Sequence, residues 1–363
     1  MGEWKNFLAT RWGIIFVGIL IGILASILQK LGNPPNMGIC VACMERDIAG
    51  ALGFHRASVV QYMRPEILGF VLGAFLSALA FREFRPRGGS APFIRFILGV
   101  FAMIGALVFL GCPWRTLLRL AGGDGNAIFG LLGLIFGIWI GTRFLKAGYS
   151  LGRTQVSTSK AVGLGFPLLM LGLLILLLID PQPEGESRGM LLFYSLKGPG
   201  SQHAPLLISL AVGLLIGVIA QRSRFCTMGA FRDLILFRQG HLFSGIAALF
   251  IAAFITNLIL GQFNPGFEKQ PIAHTMQLWN FLGMTLAGLA FTLAGGCPGR
   301  QLFMSGEGDG DAAVFATGMI VGAAIAHNFG LASSPSGIGP NGAVATVIGL
   351  IVCLIIGLTM RRR

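Results

Sequence analysis

Four of the six cysteines in this chain stand at matching places in two stretches of sequence. Residues 111–127 read GCPWRTLLRLAGGDGNA and residues 296–312 read GCPGRQLFMSGEGDGDA. Aligned without a gap, they share Gly, Cys, Pro, Arg and Leu, then Gly-Asp-Gly, then Ala. A second pair lies upstream, where Cys40 with Arg46-Asp47 matches Cys226 with Arg232-Asp233. Thiols duplicated at fixed offsets point to a symmetric pathway lined by Cys40, Cys112, Cys226 and Cys297. Within Gly-Cys-Pro-x-Arg, Gly111 and Gly296 are read as ending one helix. Pro113 and Pro298 suit the first position of the next, where a missing N–H costs nothing. The cysteine then becomes the cap, with its thiol near free backbone N–H groups and the positive end of a helix dipole. Such a place suits an anion. Arg115 and Arg300 lie one turn further on, either to attract an anion or to pair with Asp124 and Asp309. Those aspartates, each between two glycines, are read as caps of the spans that follow.

The remaining chemistry-bearing residues give weaker signals. Cys353 has no duplicate and reads as packing. Cys40 and Cys43 form a Cys-x-x-Cys, a spacing used by redox pairs, but the counterpart of Cys43 is Gly229. The two Arg-Asp dipeptides read as local ion pairs within loops, and His327 reads as packing. No histidine pairs with a cysteine at metal-ligand spacing, and no nucleotide-binding glycine motif is present, so no metal or cofactor is expected.

These residues must be held in a bilayer. Hydrophobic residues make up 54% of the chain and charged ones 11%, too few charges for a soluble core of 363 residues. About ten apolar runs are long enough to span: 12–29, 65–81, 93–111, 126–142, 161–179, 204–220, 242–260, 278–295, 312–330 and 342–359. The first lacks a cleavage pattern and is kept as a helix rather than a signal peptide. Segments 36–56 and 222–240 are too polar and short to cross, and are read as short helices that enter and return, lined by protein or water. Basic residues cluster at Lys5 and Arg11, at 82–95, 143–160 and 222–238, and at Arg361-Arg362-Arg363. With ten spans these share one side, which is then cytoplasmic and holds both termini. The net charge of +13 is this topology signal rather than nucleic-acid binding. Arg46, Arg56 and Arg64 fall on the opposite side, where they could serve a substrate.

The expected architecture is an all-α polytopic membrane protein with two inverted-topology repeats, each with a short re-entrant helix and a Gly-Cys-Pro-x-Arg motif. Repeat one is 12–146, a connecting span is 161–180, repeat two is 204–330, and an extra span at 342–360 lies outside the duplication. Five spans separate equivalent helices, and an odd number turns the second copy over.

The duplicated motifs, with Arg-Phe-Cys-Thr-Met-Gly-Ala-Phe-Arg-Asp at 224–233, resemble the YeeE/YedE sulfur-transport family of inner-membrane proteins. The first copy, reading Met-Gly-Ile-Cys-Val-Ala-Cys-Met-Glu-Arg-Asp, is most similar to the YedE branch linked with selenium metabolism. The resemblance implies uptake of thiosulfate or a related sulfur or selenium species past Cys40, Cys112, Cys226 and Cys297. It also implies a small cytosolic sulfur-carrier protein with a Cys-Pro motif and a place in the bacterial inner membrane. The rival is a membrane sulfurtransferase or thiol–disulfide exchanger working through cysteine persulfides or disulfides. Cys43 is the residue that favours the rival.

Overall fold

The computed structural model describes residues 7–361, so Lys5, Arg362 and Arg363 lie outside the described residues. The helices are α1 (Arg11–Lys30), α2 (Val41–Ala51), α3 (Pro65–Ala80), α4 (Pro92–Phe109), α5 (Pro113–Ala121), α6 (Asn126–Lys146) and α7 (Lys160–Ile179). There follow α8 (Leu206–Ser223), α9 (Thr227–Phe237), α10 (His241–Ile259), α11 (Gln277–Ala294), α12 (Pro298–Gly306), α13 (Gly310–Asn328) and α14 (Gly342–Thr359). Two short strands, β1 (Arg87–Gly88) and β2 (Gln155–Val156), pair antiparallel outside the bundle. Among the described residues nine segments are long and apolar enough to cross a membrane, and α3 is a shorter apolar helix. The molecule is an all-α polytopic membrane protein.

The two stretches α1–α6 and α8–α13 pack by one pattern. Helix α1 lies along α10 as α3 lies along α8, and α6 lies along α11 as α4 lies along α13. Helices α4 and α11 meet each other at the centre. Small residues permit these contacts, because lipid tails offer no hydrophobic drive and backbones must approach closely. Gly-x-x-x-Gly occurs at Gly18/Gly22 of α1, Gly213/Gly217 of α8, Gly133/Gly137 of α6 and Gly318/Gly322 of α13. At Gly18 a Cβ would stand 2.0 Å from the Gly245 carbonyl oxygen, so no larger residue fits without parting α1 from α10.

Loop contacts define two faces. On the first, Arg85 and Arg87 N–H groups donate to the Glu307 and Gly308 carbonyls, and Ser150 N–H donates to Met360. On the second, Ala204 N–H donates to Asn33 Oδ1, Asn126 Nδ2 donates to the Phe267 carbonyl, and Asn328 Nδ2 donates to Phe54. Helix α6 therefore runs from the second face to the first, and its counterpart α13 runs from the first to the second. The segment around α2 enters and leaves on the second face, since Ala51 and Asn33 are both tied to the 193–204 loop. Outward faces carry Trp12, Phe16 and Ile19 on α1, Leu168, Leu171 and Ile175 on α7, and Val347, Ile351 and Ile355 on α14, as a lipid-facing surface requires.

Candidate functional site

All four duplicated cysteines occupy the N-cap position of a short helix: Cys40 of α2, Cys112 of α5, Cys226 of α9 and Cys297 of α12. Helices α5 and α12 begin with Pro113 and Pro298, whose fixed φ is already helical. Cys40 Sγ accepts from Cys43 N–H at 3.4 Å, and Cys226 Sγ accepts from Gly229 N–H at 3.3 Å. Cys112 and Cys297 make no side-chain capping bond, which leaves their thiols free for other partners.

Packing gathers the thiols into two pairs of like construction. Cys40 Sγ and Cys112 Sγ lie 3.7 Å apart, and Cys297 N–H donates to Cys226 Sγ at 3.5 Å. Each pair therefore unites two helix N-termini, where N–H groups and dipole ends favour negative charge. All six cysteines are free thiols and buried.

Access differs between the pairs. A vestibule of about 630 Å³ opens on the first face and reaches Cys226, the most exposed of the four at 6%. Its walls carry Arg222, Arg224, Arg232 and Arg300 against Glu83, Asp233 and Glu307. Arg222 pairs with Glu83 at 2.6 Å, Arg232 with Asp233 at 2.8 Å and Arg300 with Glu307 at 3.1 Å. Arg224 makes no ion pair within 4 Å among the described residues, and the four arginines outnumber the three carboxylates on the wall. Cys40 and Cys112 are sealed, at 0% and 1% exposure.

The supporting residues separate from their sequence reading. Neither Arg115 nor Arg300 pairs with its aspartate. Asp124 pairs instead with Arg119 at 2.6 Å, both wholly buried, and Asp309 with Arg87 at 2.8 Å. Arg115, also buried, spreads its guanidinium over the carbonyls of Asn36, Leu110 and Ile272 and the Cys43 sulfur. Asp309 caps α13 through Ala312 N–H, whereas Asp124 bonds Asn126 N–H from one residue before the cap. Gly111 and Gly296 are not the helix-ending residues. The left-handed turn falls one place earlier, at Leu110 with φ 65° and Gly295 with φ 88°. Gly111 instead leaves room for the Arg115 stem, 3.1 Å from where its Cβ would stand.

The Arg-Asp dipeptides are ion pairs, but they lie inside α2 and α9 rather than in loops. Arg64 also binds Asp47, at 2.7 Å, and donates to the Pro199 and Gln202 carbonyls. Arg64 thus ties α2 to the loop at 199–202, while the Arg46 side chain bonds only Asp47 within α2. The His327 ring lies tilted against His55, with centroids 4.4 Å apart and planes 33° from parallel.

Sequence reading missed Trp114, Glu45 and Arg119. Glu45 in α2 is buried, and among the described residues neither of its oxygens has a hydrogen-bond partner. Duplication could not reveal these three, because their counterparts are Gly299, Phe231 and Met304.

Fold and site together define a multi-pass membrane protein with two thiol pairs set on helix N-termini. The family described as sulphur transport matches residues 222–360. A thiosulfate transporter TsuA of Spirochaeta thermophila is 33% identical over 99 residues, covering 27% of this chain and 29% of the relative. A thiosulfate transporter TsuA of Escherichia coli K12 is 31% identical over 104 residues, covering 28% and 29%. The matched stretch is thus under a third of the length of either relative.

Proposed function

We propose that this protein is an inner-membrane transporter that takes up thiosulfate or a related sulfur or selenium anion along Cys40, Cys112, Cys226 and Cys297. The observation that carries the reading is the placement of all four thiols at helix N-caps, two by two. A doubly charged anion pays heavily to enter hydrocarbon. Neutral thiols are weak S–H donors suited to its terminal sulfur, and helix N-termini offer N–H groups to its oxygens. Two such stations, each of moderate strength, pass the ion on without trapping it. The names of the two relatives and the arginine-rich vestibule support an anionic sulfur substrate.

The two halves are read as inverted repeats, 12–146 and 204–330, with α7 joining them and α14 added outside the duplication. The first face gathers the basic loops around Arg85, Arg87 and Arg222, so it is assigned to the cytoplasm. Both termini then lie there, and the vestibule becomes the release side, open to a small carrier protein with a Cys-Pro motif. Membrane lipid surrounds the apolar belt. The rival, thiol exchange through Cys40 and Cys43, draws support from the Arg115 guanidinium 3.3 Å from Cys43 Sγ.

The test is uptake of sulfur-labelled thiosulfate into vesicles, with a selenium analogue as competitor. Each single Cys→Ala change at 40, 112, 226 or 297 removes one donor of about 1 kcal/mol and lowers uptake ~5-fold or more. Cys353→Ala and Cys43→Ser leave it near wild type. Undiminished uptake in all four variants refutes the thiol pathway, and loss in Cys43→Ser alone favours the exchanger.

A further inference from the structure

The vestibule is lined by Cys226 and by neither Cys40 nor Cys112. Trp114 follows Cys112 by two residues, and its side chain is buried. Its ring packs edge-on against Phe225, the residue before Cys226, with centroids 5.9 Å apart. It also packs against Phe70 of α3 at 5.9 Å and Phe303 of α12 at 6.1 Å. A Cβ on Gly299, two residues after Cys297, would lie 3.3 Å from the same ring. One side chain thus touches the neighbourhood of Cys112, of Cys226 and of Cys297. The symmetry that pairs the thiols breaks here, since repeat one supplies the indole and repeat two supplies Gly299 as the space beside it. Among the described residues the indole Nε1–H has no hydrogen-bond partner, although buried donors are nearly always paired. A ring placed purely for packing would be expected to satisfy that donor or to be phenylalanine, like its three neighbours.

We propose that Trp114 is the partition between the two stations, the residue that keeps the vestibule-side pair apart from the sealed pair and that a passing anion must displace. The inference rests on the reading of the thiols as a pathway, and its test does not need transported substrate. Three observations agree with it. The vestibule reaches Cys226 and stops, Cys112 is closed off, and the ring stands beside residues flanking both. An unpaired N–H at that point also gives a displaced indole a hydrogen bond to offer an anion oxygen.

The experiment uses the full chain in vesicles of known sidedness. A charged, membrane-impermeant methanethiosulfonate reagent is applied from the vestibule face, and modified cysteines are located by peptide mass spectrometry. Wild type and Trp114→Phe, which keeps an aromatic wedge, should be modified at Cys226 and not at Cys112. Trp114→Ala should raise modification of Cys112 at least tenfold while Cys226 reacts at the wild-type rate, which also reports that the fold is intact. Cys112 reacting equally in all three proteins, or already in the wild type, overturns the partition. If Trp114→Ala is too unstable to isolate, Trp114→Leu in the same assay decides, with the same two outcomes. Failure of thiosulfate uptake with this labelling pattern preserved would count against the substrate reading and leave the partition standing.

Discussion

Arg115 and Arg300 occupy the same place in the two motifs, yet lysine should be costly at one and cheap at the other. Arg115 is wholly buried and donates to three carbonyls, at 3.2 Å to Asn36, 2.5 Å to Leu110 and 3.2 Å to Ile272. A guanidinium reaches all three because its five N–H donors form a planar fork, whereas an ammonium is a point charge. Arg115→Lys should keep one carbonyl and orphan two. A buried unsatisfied acceptor costs about 1–3 kcal/mol, so the pair amounts to ~4 kcal/mol. The Arg300 side chain is 13% exposed on the vestibule wall and makes one ion pair, at 3.1 Å to Glu307. Lysine can replace it there for about 0–1 kcal/mol. The expected gap of ~3 kcal/mol is about a hundredfold in the unfolding constant. Reversible denaturation of the two variants in matched micelles, followed by far-ultraviolet circular dichroism, measures it. Equal destabilisation within about 1 kcal/mol, or a larger loss in Arg300→Lys, would refute the view that packing has separated the two arginines. Uptake gives a second readout. Any defect of Arg300→Gln should fade between low and high salt, because a charge on the wall of an open vestibule is screened more than a wholly buried one, while a defect of Arg115→Lys should not.

Other expectations follow from single contacts. Gly18→Val places a side chain 2.0 Å from the Gly245 carbonyl and should abolish correctly folded protein by size-exclusion chromatography, whereas Gly172→Ala, with nothing within 4 Å, should be silent. Asp124→Asn breaks a wholly buried pair with Arg119 and should cost about 3–5 kcal/mol in denaturation. Asp309→Asn can keep a capping oxygen beside a half-buried Arg87 and should cost about 1 kcal/mol or less. Asp180, beyond the end of α7, experiences burial that raises its pKa and three N–H donors, from Leu191, Leu192 and Met190, that outweigh it, so the carboxyl titrates below the usual range. Its stabilising contribution is complete above the unfolded value of about 3.9 and is lost as pH falls through the lower folded value. Hydrogen exchange at Leu191 and Leu192 should therefore stay slow at pH 5, relative to Asp180→Asn, and converge with that variant only in strong acid.

The bilayer class, the spans and the four thiols were legible in the sequence for a physical reason. Hydrocarbon leaves few ways to satisfy a backbone, so long apolar runs become helices whatever surrounds them. Duplication then marked Cys40, Cys112, Cys226 and Cys297, since equal residues in equal settings survive alignment. The N-cap role of Cys112 and Cys297 was legible too, because proline fixes where a helix begins.

What the sequence could not decide was everything set by neighbours distant along the chain. Arg115 and Arg300 read alike, but Ile272 and Asn36 surround one while the vestibule borders the other. The partners of Asp124 and Asp309 could not be inferred from motif spacing, because Arg119 and Arg87 lie outside the shared pattern. Local spacing determines which groups a helix end can present, and only tertiary packing determines which buried charge meets which carbonyl. Trp114 and Gly299 show the same division. As residues they are one mismatch in an alignment, and only the assembled core turns that mismatch into a ring lying between two pairs of thiols.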